Sequence, residues 1–153
     1  MAVSYHLTQQ GRHHVVLDRA TYVASSWRDG RWDSFTLVTP NWTVRLPGFP
    51  YAGNDPDGFM TRSELINHFE GYAASFSAPI RYGQHVTAVR PKAGGYSIVT
   101  ADGVTYAAAN VVIATGSYQF PKPTALSQAM PEGLVQLHSS QYRRPGHSHR
   151  VQC

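Results

Sequence analysis

The sequence predicts an α/β fold with a small antiparallel insertion, on three observations. Thr61-x-x-Glu64 is a capping box, and it opens a stretch whose apolar residues recur at helical spacing. Two short apolar runs, HVVLD at 14–18 and VVIA at 111–114, have the character of strands buried on both faces of a parallel sheet. Between them lie segments that alternate apolar and polar residues and are separated by glycine-containing turns, the pattern of an antiparallel meander.

Taken along the chain, residues 2–10 read as a helix with Val3 and Leu7 on one face, stopped by Gly11. The apolar run at 14–18 follows and ends on an acid, Asp18. Residues 22–58 are irregular, rich in Trp, Pro, Gly and Asp. Their aromatic side chains argue for an ordered, functional loop rather than a disordered one. The capped helix carries Leu65, Phe69, Tyr72 and Phe76 as a core-packing stripe and is closed by Pro79. IRYG, HVTAVRP, GYSIVTA and GVTYAA then read as strands, with turns at 92–95 and 101–103. The apolar strand at 111–114 stops on Thr115-Gly116. The order is helix, buried strand, long loop, helix, strand, meander, buried strand.

A chain of 153 residues suffices for one domain with a core of its own. It has no run long enough to span a bilayer and no signal-peptide pattern, so a cytoplasmic, non-membrane protein is expected. The single cysteine, Cys153, excludes disulfide scaffolds, Cys-rich zinc sites and a C-x-x-C redox centre. The net charge of +4 comes from scattered Lys and Arg. The one local cluster, Arg143, Arg144 and Arg150, reads as a solvated tail, and no nucleic-acid partner is expected. His147, His149 and Cys153 share that tail without ordered ligands before them, so no metal site is expected.

Two features bear on chemistry. In dinucleotide-binding βαβ units, an acid ending the second strand accepts hydrogen bonds from the adenosine ribose, about twenty residues after a glycine loop. Asp18 stands in that role, and counting back from it lands at or just before Met1. A sharp glycine turn after an apolar strand, here Gly116, lets backbone approach a bound cofactor with no Cβ in the way.

The ordered string VVLDRA, SSWRDGRWDSFTLVTPNW, LPGFPY, EGYA and VVIATGSYQFPKP followed by QLHSSQYRRP resembles flavin-containing monooxygenase-like proteins, which bind FAD and NAD(P)H. The resemblance covers residues 1–146 and leaves 147–153 as a disordered tail outside it. It implies a Rossmann-like FAD-binding domain with the meander as insertion, reduced by NADPH from a second domain. The reduced flavin then takes up O2 as a C4a-hydroperoxide that oxygenates a small organic substrate. By the same resemblance Asp18 and Arg19 lie at the adenosine end of FAD, with Trp27, Arg28 and Trp32 beside the cofactor. Thr39 and Asn41 lie towards the isoalloxazine, and the backbone of Val86 holds adenine. Ala114, Thr115 and Gly116 form the turn linking the two domains. No catalytic residue is assigned.

The family fingerprint F-x-G-x-x-x-H-x-x-x-Y is present in its second half as His138 and Tyr142, whereas Glu132 and Leu134 stand at the Phe and Gly positions. The family's first strand and G-x-G-x-x-G loop are absent, and with them the central strand of the sheet and the backbone grip on the FAD pyrophosphate. The expectation is therefore a truncated FAD-binding domain, inactive by itself. A non-catalytic binding or regulatory module derived from the same fold is the alternative. A disulfide reductase shares the Ala-Thr-Gly turn but needs a cysteine pair that the sequence lacks.

Overall fold

The computed structural model describes residues 1–116, 121–122, 124–131 and 133–145. Helix α1 (Ala2–Gln9) ends at Gln10, and Gly11 takes the left-handed conformation (φ 62°) that lets the chain turn away. Its buried side is set by Ser4, whose hydroxyl meets Nε2 of His14 at 2.7 Å, and Tyr5 packs against Tyr72 and Phe76. Val3, expected on the packed face, is half exposed.

Strand β1 (Val16–Leu17) is shorter than the expected run, and it is half-buried rather than covered on both faces. It pairs in parallel with one neighbour, β4 (Ile80–Arg81), in the register Val16↔Ile80 and Leu17↔Arg81. Its other edge meets no strand among the described residues.

The stretch expected to be irregular, 22–58, carries three small elements. They are the single-turn α2 (Ser25–Arg28), a 3-10 turn at Asn41–Thr43, and a hairpin of β2 (Arg45–Leu46) with β3 (Phe49–Pro50). Pro47-Gly48 makes the hairpin turn, with Gly48 at φ 69°. The Tyr5 ring lies where a Cβ on Gly48 would project, so the turn doubles as the seat of α1. Thr36 bridges Thr61 in antiparallel sense, and the N–H of Leu37 donates to the Met60 carbonyl at 2.9 Å. The loop is thereby laid along the chain that leads into α3.

Helix α3 (Arg62–Ser75) starts where the sequence places it. The Thr61 hydroxyl accepts the Glu64 N–H, and the Glu64 carboxylate accepts the Thr61 N–H at 2.8 Å. It ends at Ser75, before Pro79; Phe76 is the cap and Ser77 turns the chain at φ 51°. Leu65, Ile66, Tyr72 and Ala73 are its buried residues. One core joins Leu65 to Phe35 and Met60, with Trp27, Trp32 and Phe69 packed against it. The other joins Tyr72 to Tyr5, Phe49 and Phe76. Burial of each large side chain contributes about 1.5–3 kcal/mol.

The meander is as expected. β5 (Val86–Lys92), β6 (Gly95–Thr100) and β7 (Thr105–Ala108) form an antiparallel sheet with a bulge between Val86 and Ala88. Tyr106 anchors it to the rest, donating to Gln84 Oε1 at 2.8 Å under the Arg81 guanidinium. The expected strand at 111–114 is not formed. Val112 and Ile113 are 62% and 74% exposed, because no described segment offers this run a ladder of N–H and C=O groups. The tail 147–153 and Glu132 lie outside the described residues.

The capping box has a pH signature. The Thr61 backbone bond, then its hydroxyl, holds the Glu64 carboxyl below its ordinary range. Burial also lowers His68, against a smaller opposing effect of the Phe49 backbone. Both folded values are depressed, so both contributions are present above the unfolded values and are lost as pH falls through the folded ones. Thermal midpoints are expected to decline below about pH 6.5 and more steeply below about pH 4.5. Glu64→Ala should cost about 0.3–1 kcal/mol at neutral pH and flatten the acid limb. A midpoint series over pH for both chains checks this.

Candidate functional site

Asp18 closes β1, and its surroundings make it the hub of one end of the sheet. Its N–H donates to Arg81 O at 3.0 Å, its Oδ1 accepts the Ala20 N–H at 2.9 Å, and its carbonyl accepts the Gln84 N–H at 2.8 Å. Gly83 N–H adds a bond to Ala20 O. These ties draw the 18–20 turn against the 82–85 loop that leads into Val86, the first residue of β5. Asp18, Arg19 and Val86, assigned together to the adenosine end, therefore lie along one joined pair of loops. Tyr82 sits in the same loop. Burial pushes its phenol up, and the carboxylates of Asp18 and then Glu70 push it further. Arg19 is exposed.

Beside Asp18 opens a cleft of about 200 Å³, lined by Met1, Asp18, Ser25, Ser26, Trp27 and Phe69 among others. Met1, the N-cap of α1, is part of the lining, which puts the N-terminal end of that helix at the cleft. Ala24, also in its wall, has φ 59°, a left-handed conformation that starts α2 and turns Ser25 and Ser26 into the lining. Trp27 is held on three sides. Phe69 stacks on it at 6.3 Å and 18°, Phe35 lies at 5.6 Å, and the Arg31 guanidinium is 4.9 Å from a Trp27 ring centre.

The other assigned residues spread from this cleft. Arg28 makes an ion pair with Glu70 on α3 and lies over Tyr22, whose O–H donates to Asp29 at 2.6 Å. Both ends of that pair are exposed, so it contributes little to stability. Trp32 packs edge-on against Phe35 at 5.0 Å and belongs to the core. Thr39 is exposed. Asn41 is 4% exposed, and its amide binds the chain on both sides: Nδ2 donates to Asp55 O at 2.9 Å and Oδ1 accepts the Met60 N–H at 2.6 Å. Ala114, Thr115 and Gly116 are exposed, with Gly116 at φ 72°. His138 and Tyr142 stand apart from the cleft lining. Gln141 bonds both the N–H and the carbonyl of His138, closing a surface turn.

Sequence reasoning missed three parts of this arrangement. Ser25 and Ser26 line the cleft, a role that their place just before Trp27 could have suggested. Phe69, read as core, is also the far wall of the cleft. Arg143, read as part of a solvated tail, is docked, with Nη1 donating to Arg31 O at 2.9 Å and Nη2 to Asp29 O. A second, larger cavity of about 600 Å³ lies on the hairpin side of α3, between Phe49, Tyr51, Met60 and His68. Among the described residues no cluster of three or more His, Cys, Asp or Glu side chains could hold a metal, and no helix is long and apolar enough to cross a membrane.

Residues 1–150 match the family described as pyridine nucleotide-disulphide oxidoreductase. The chain belongs to that family. Within it, the chain is of the flavin-containing monooxygenase-like kind. It is 31% identical over 145 residues to an uncharacterized CzcO-like oxidoreductase of Geobacillus kaustophilus, covering 95% of this chain and 41% of the relative. It is 25% identical over 146 residues to the probable indole-3-pyruvate monooxygenase YUCCA1 of Arabidopsis thaliana, covering 94% of this chain and 35% of the relative. A flavin-containing monooxygenase from Stenotrophomonas maltophilia superposes with a TM-score of 0.79 at 26% identity, over 94% of this chain and 43% of that one. The fold is thus the Rossmann-like, mixed α/β FAD-binding fold of flavin monooxygenases. The chain spans about two fifths of the length of the curated bacterial relatives it matches. The 153 residues hold one cysteine, Cys153.

Proposed function

We propose that these residues are the adenosine-side part of an FAD site in an NAD(P)H-using, monooxygenase-like oxidoreductase that acts on a small organic substrate with O2. The observation that carries this reading is a convergence: Asp18, Met1 at the N-terminal end of α1, Ser25, Ser26 and Trp27 all line one cleft. That donor and acceptor set fits the sugar-and-phosphate stretch of a dinucleotide. The carboxylate accepts from ribose hydroxyls, the helix end and Ser25 and Ser26 donate to phosphate oxygens, and Trp27 with Phe69 excludes water. When bound, FAD supplies the redox and oxygen chemistry.

The remaining assignments extend from that cleft. The Val86 backbone, brought beside Asp18 by the Gln84 bond, is positioned to hold adenine. Asn41 works by pinning 55–60 against 39–41, leaving the Thr39 hydroxyl free to face the isoalloxazine side. Ala114, Thr115 and Gly116 turn the chain towards an NADPH-binding domain.

The 153 residues contain no G-x-G-x-x-G run, so the grip proposed here rests on the cleft beside Asp18. Titration with ADP, followed by the Trp27 indole signal, tests the cleft. Asp18→Ala should raise the dissociation constant about tenfold, the loss of roughly one charge-assisted hydrogen bond. An ADP-insensitive Trp27, or equal affinity in Asp18→Ala, would overturn the assignment.

A further inference from the structure

We propose that Arg143 is a positioning residue for this cleft, clamping the 29–33 turn so that Trp27 is held as its wall; the proposal rests on reading the cleft as the cofactor site. The Arg143 guanidinium bridges two carbonyls of the turn, Nη1 to Arg31 at 2.9 Å and Nη2 to Asp29. The contact is closed in the other direction by the Asp33 N–H, which donates to the Arg143 carbonyl at 2.8 Å. One residue thus holds the turn at three points, from more than a hundred positions along the chain.

The clamp reaches Trp27 through Arg31. The Arg31 carbonyl is the shared acceptor of Arg143 and of Arg62 at the start of α3, the latter at 3.3 Å. With its backbone fixed in this way, the Arg31 side chain lies over Trp27 at 4.9 Å and over Phe35 at 5.7 Å. Within the turn Arg31 Nη1 donates to Gly30 O at 3.1 Å, and Arg62 Nη1 reaches Asp33 Oδ1 at 3.4 Å; at its flanks Asp29 N–H donates to Ser25 O and Phe35 N–H to Trp32 O. To these Arg143 adds three bonds from outside the turn. A guanidinium suits the task because its planar fork presents several donors in fixed directions, whereas an ammonium is a point charge that cannot span two carbonyls with the same geometry. Arg144, the next residue, is exposed and supplies a control of equal charge.

The full chain is compared as wild type, Arg143→Ala, Arg143→Lys and Arg144→Ala, by amide exchange at Asp33, by the indole N–H resonance of Trp27, and by ADP titration. In Arg143→Ala the Asp33 amide is expected to exchange faster, the Trp27 resonance to shift and broaden, and the ADP dissociation constant to rise about tenfold. Arg143→Lys should recover part of each change, and Arg144→Ala should match wild type. Should Arg143→Ala fail to fold, Arg143→Lys against Arg144→Ala carries the comparison. Unchanged Asp33 and Trp27 signals in both Arg143 variants overturn the clamp, as does an unchanged ADP affinity beside altered signals. Failure of the wild type to bind ADP at all overturns the cofactor reading instead, and the two resonances then decide whether the clamp exists.

Discussion

Tyr72→Ala should be the most damaging single substitution in this chain, costing about 3–5 kcal/mol. Tyr72 is fully buried, with ring centres of Tyr5, Phe49 and Phe76 at 6.0, 5.9 and 5.2 Å. Through these rings it joins α1, the hairpin and the end of α3, so truncation opens a cavity between three elements at once. Removal of a buried aromatic ring costs about 3–5 kcal/mol, against total stabilities of about 5–15 kcal/mol for a domain. The phenol oxygen is itself buried, with no hydrogen-bond partner among the described residues. Tyr72→Phe should therefore be neutral or stabilising by up to about 1 kcal/mol, since it removes an unsatisfied polar atom at constant shape. Chemical denaturation of the two variants side by side checks both signs.

Asn41→Ala should be the second most damaging change. It strips the buried Met60 N–H and the part-buried Asp55 carbonyl of their partners. The Met60 N–H left unpaired costs about 1–3 kcal/mol and the Asp55 carbonyl, which water can reach, less, so a loss of roughly 2–4 kcal/mol is expected. Asn41→Asp keeps an acceptor for Met60 but turns an oxygen against the Asp55 carbonyl, and should fall between wild type and Asn41→Ala. Amide exchange at Met60 reports the event directly: fast in Asn41→Ala, protected in Asn41→Asp. Equal protection in all three chains would mean that another contact holds the 55–60 segment.

Features written in local residue order were legible. The capping box of α3, the stripe through Leu65 and Tyr72, the meander turns and the acid at the end of β1 each follow from neighbours within a few positions. What escaped depends on contacts distant in sequence. The hairpin at 45–50 has strands of two residues, too short for a period, and its turn is fixed by Tyr5 packing on Gly48. The run at 111–114 has the composition of a buried strand, but a strand needs a neighbour, and composition cannot supply one. Arg143 reads as one more surface charge until the fold brings it to the 29–33 turn. The cleft was half legible for the same reason. Asp18 and Trp27 stood out singly, whereas the facing of α1, Ser25, Ser26 and Phe69 onto one space is a product of folding.

The central claim is that this chain carries the adenosine side of an FAD site, with the cleft beside Asp18 as its sugar-and-phosphate end. The direct measurement is the flavin content of the purified protein, read from its visible absorbance. It is taken on the 153-residue chain and on the same chain preceded by a β-strand and G-x-G-x-x-G loop grafted from a relative. The account predicts a colourless or weakly coloured chain and a yellow extended protein that keeps its flavin through gel filtration, with Asp18→Ala bleaching the latter. A folded extended protein that retains no flavin would contradict it.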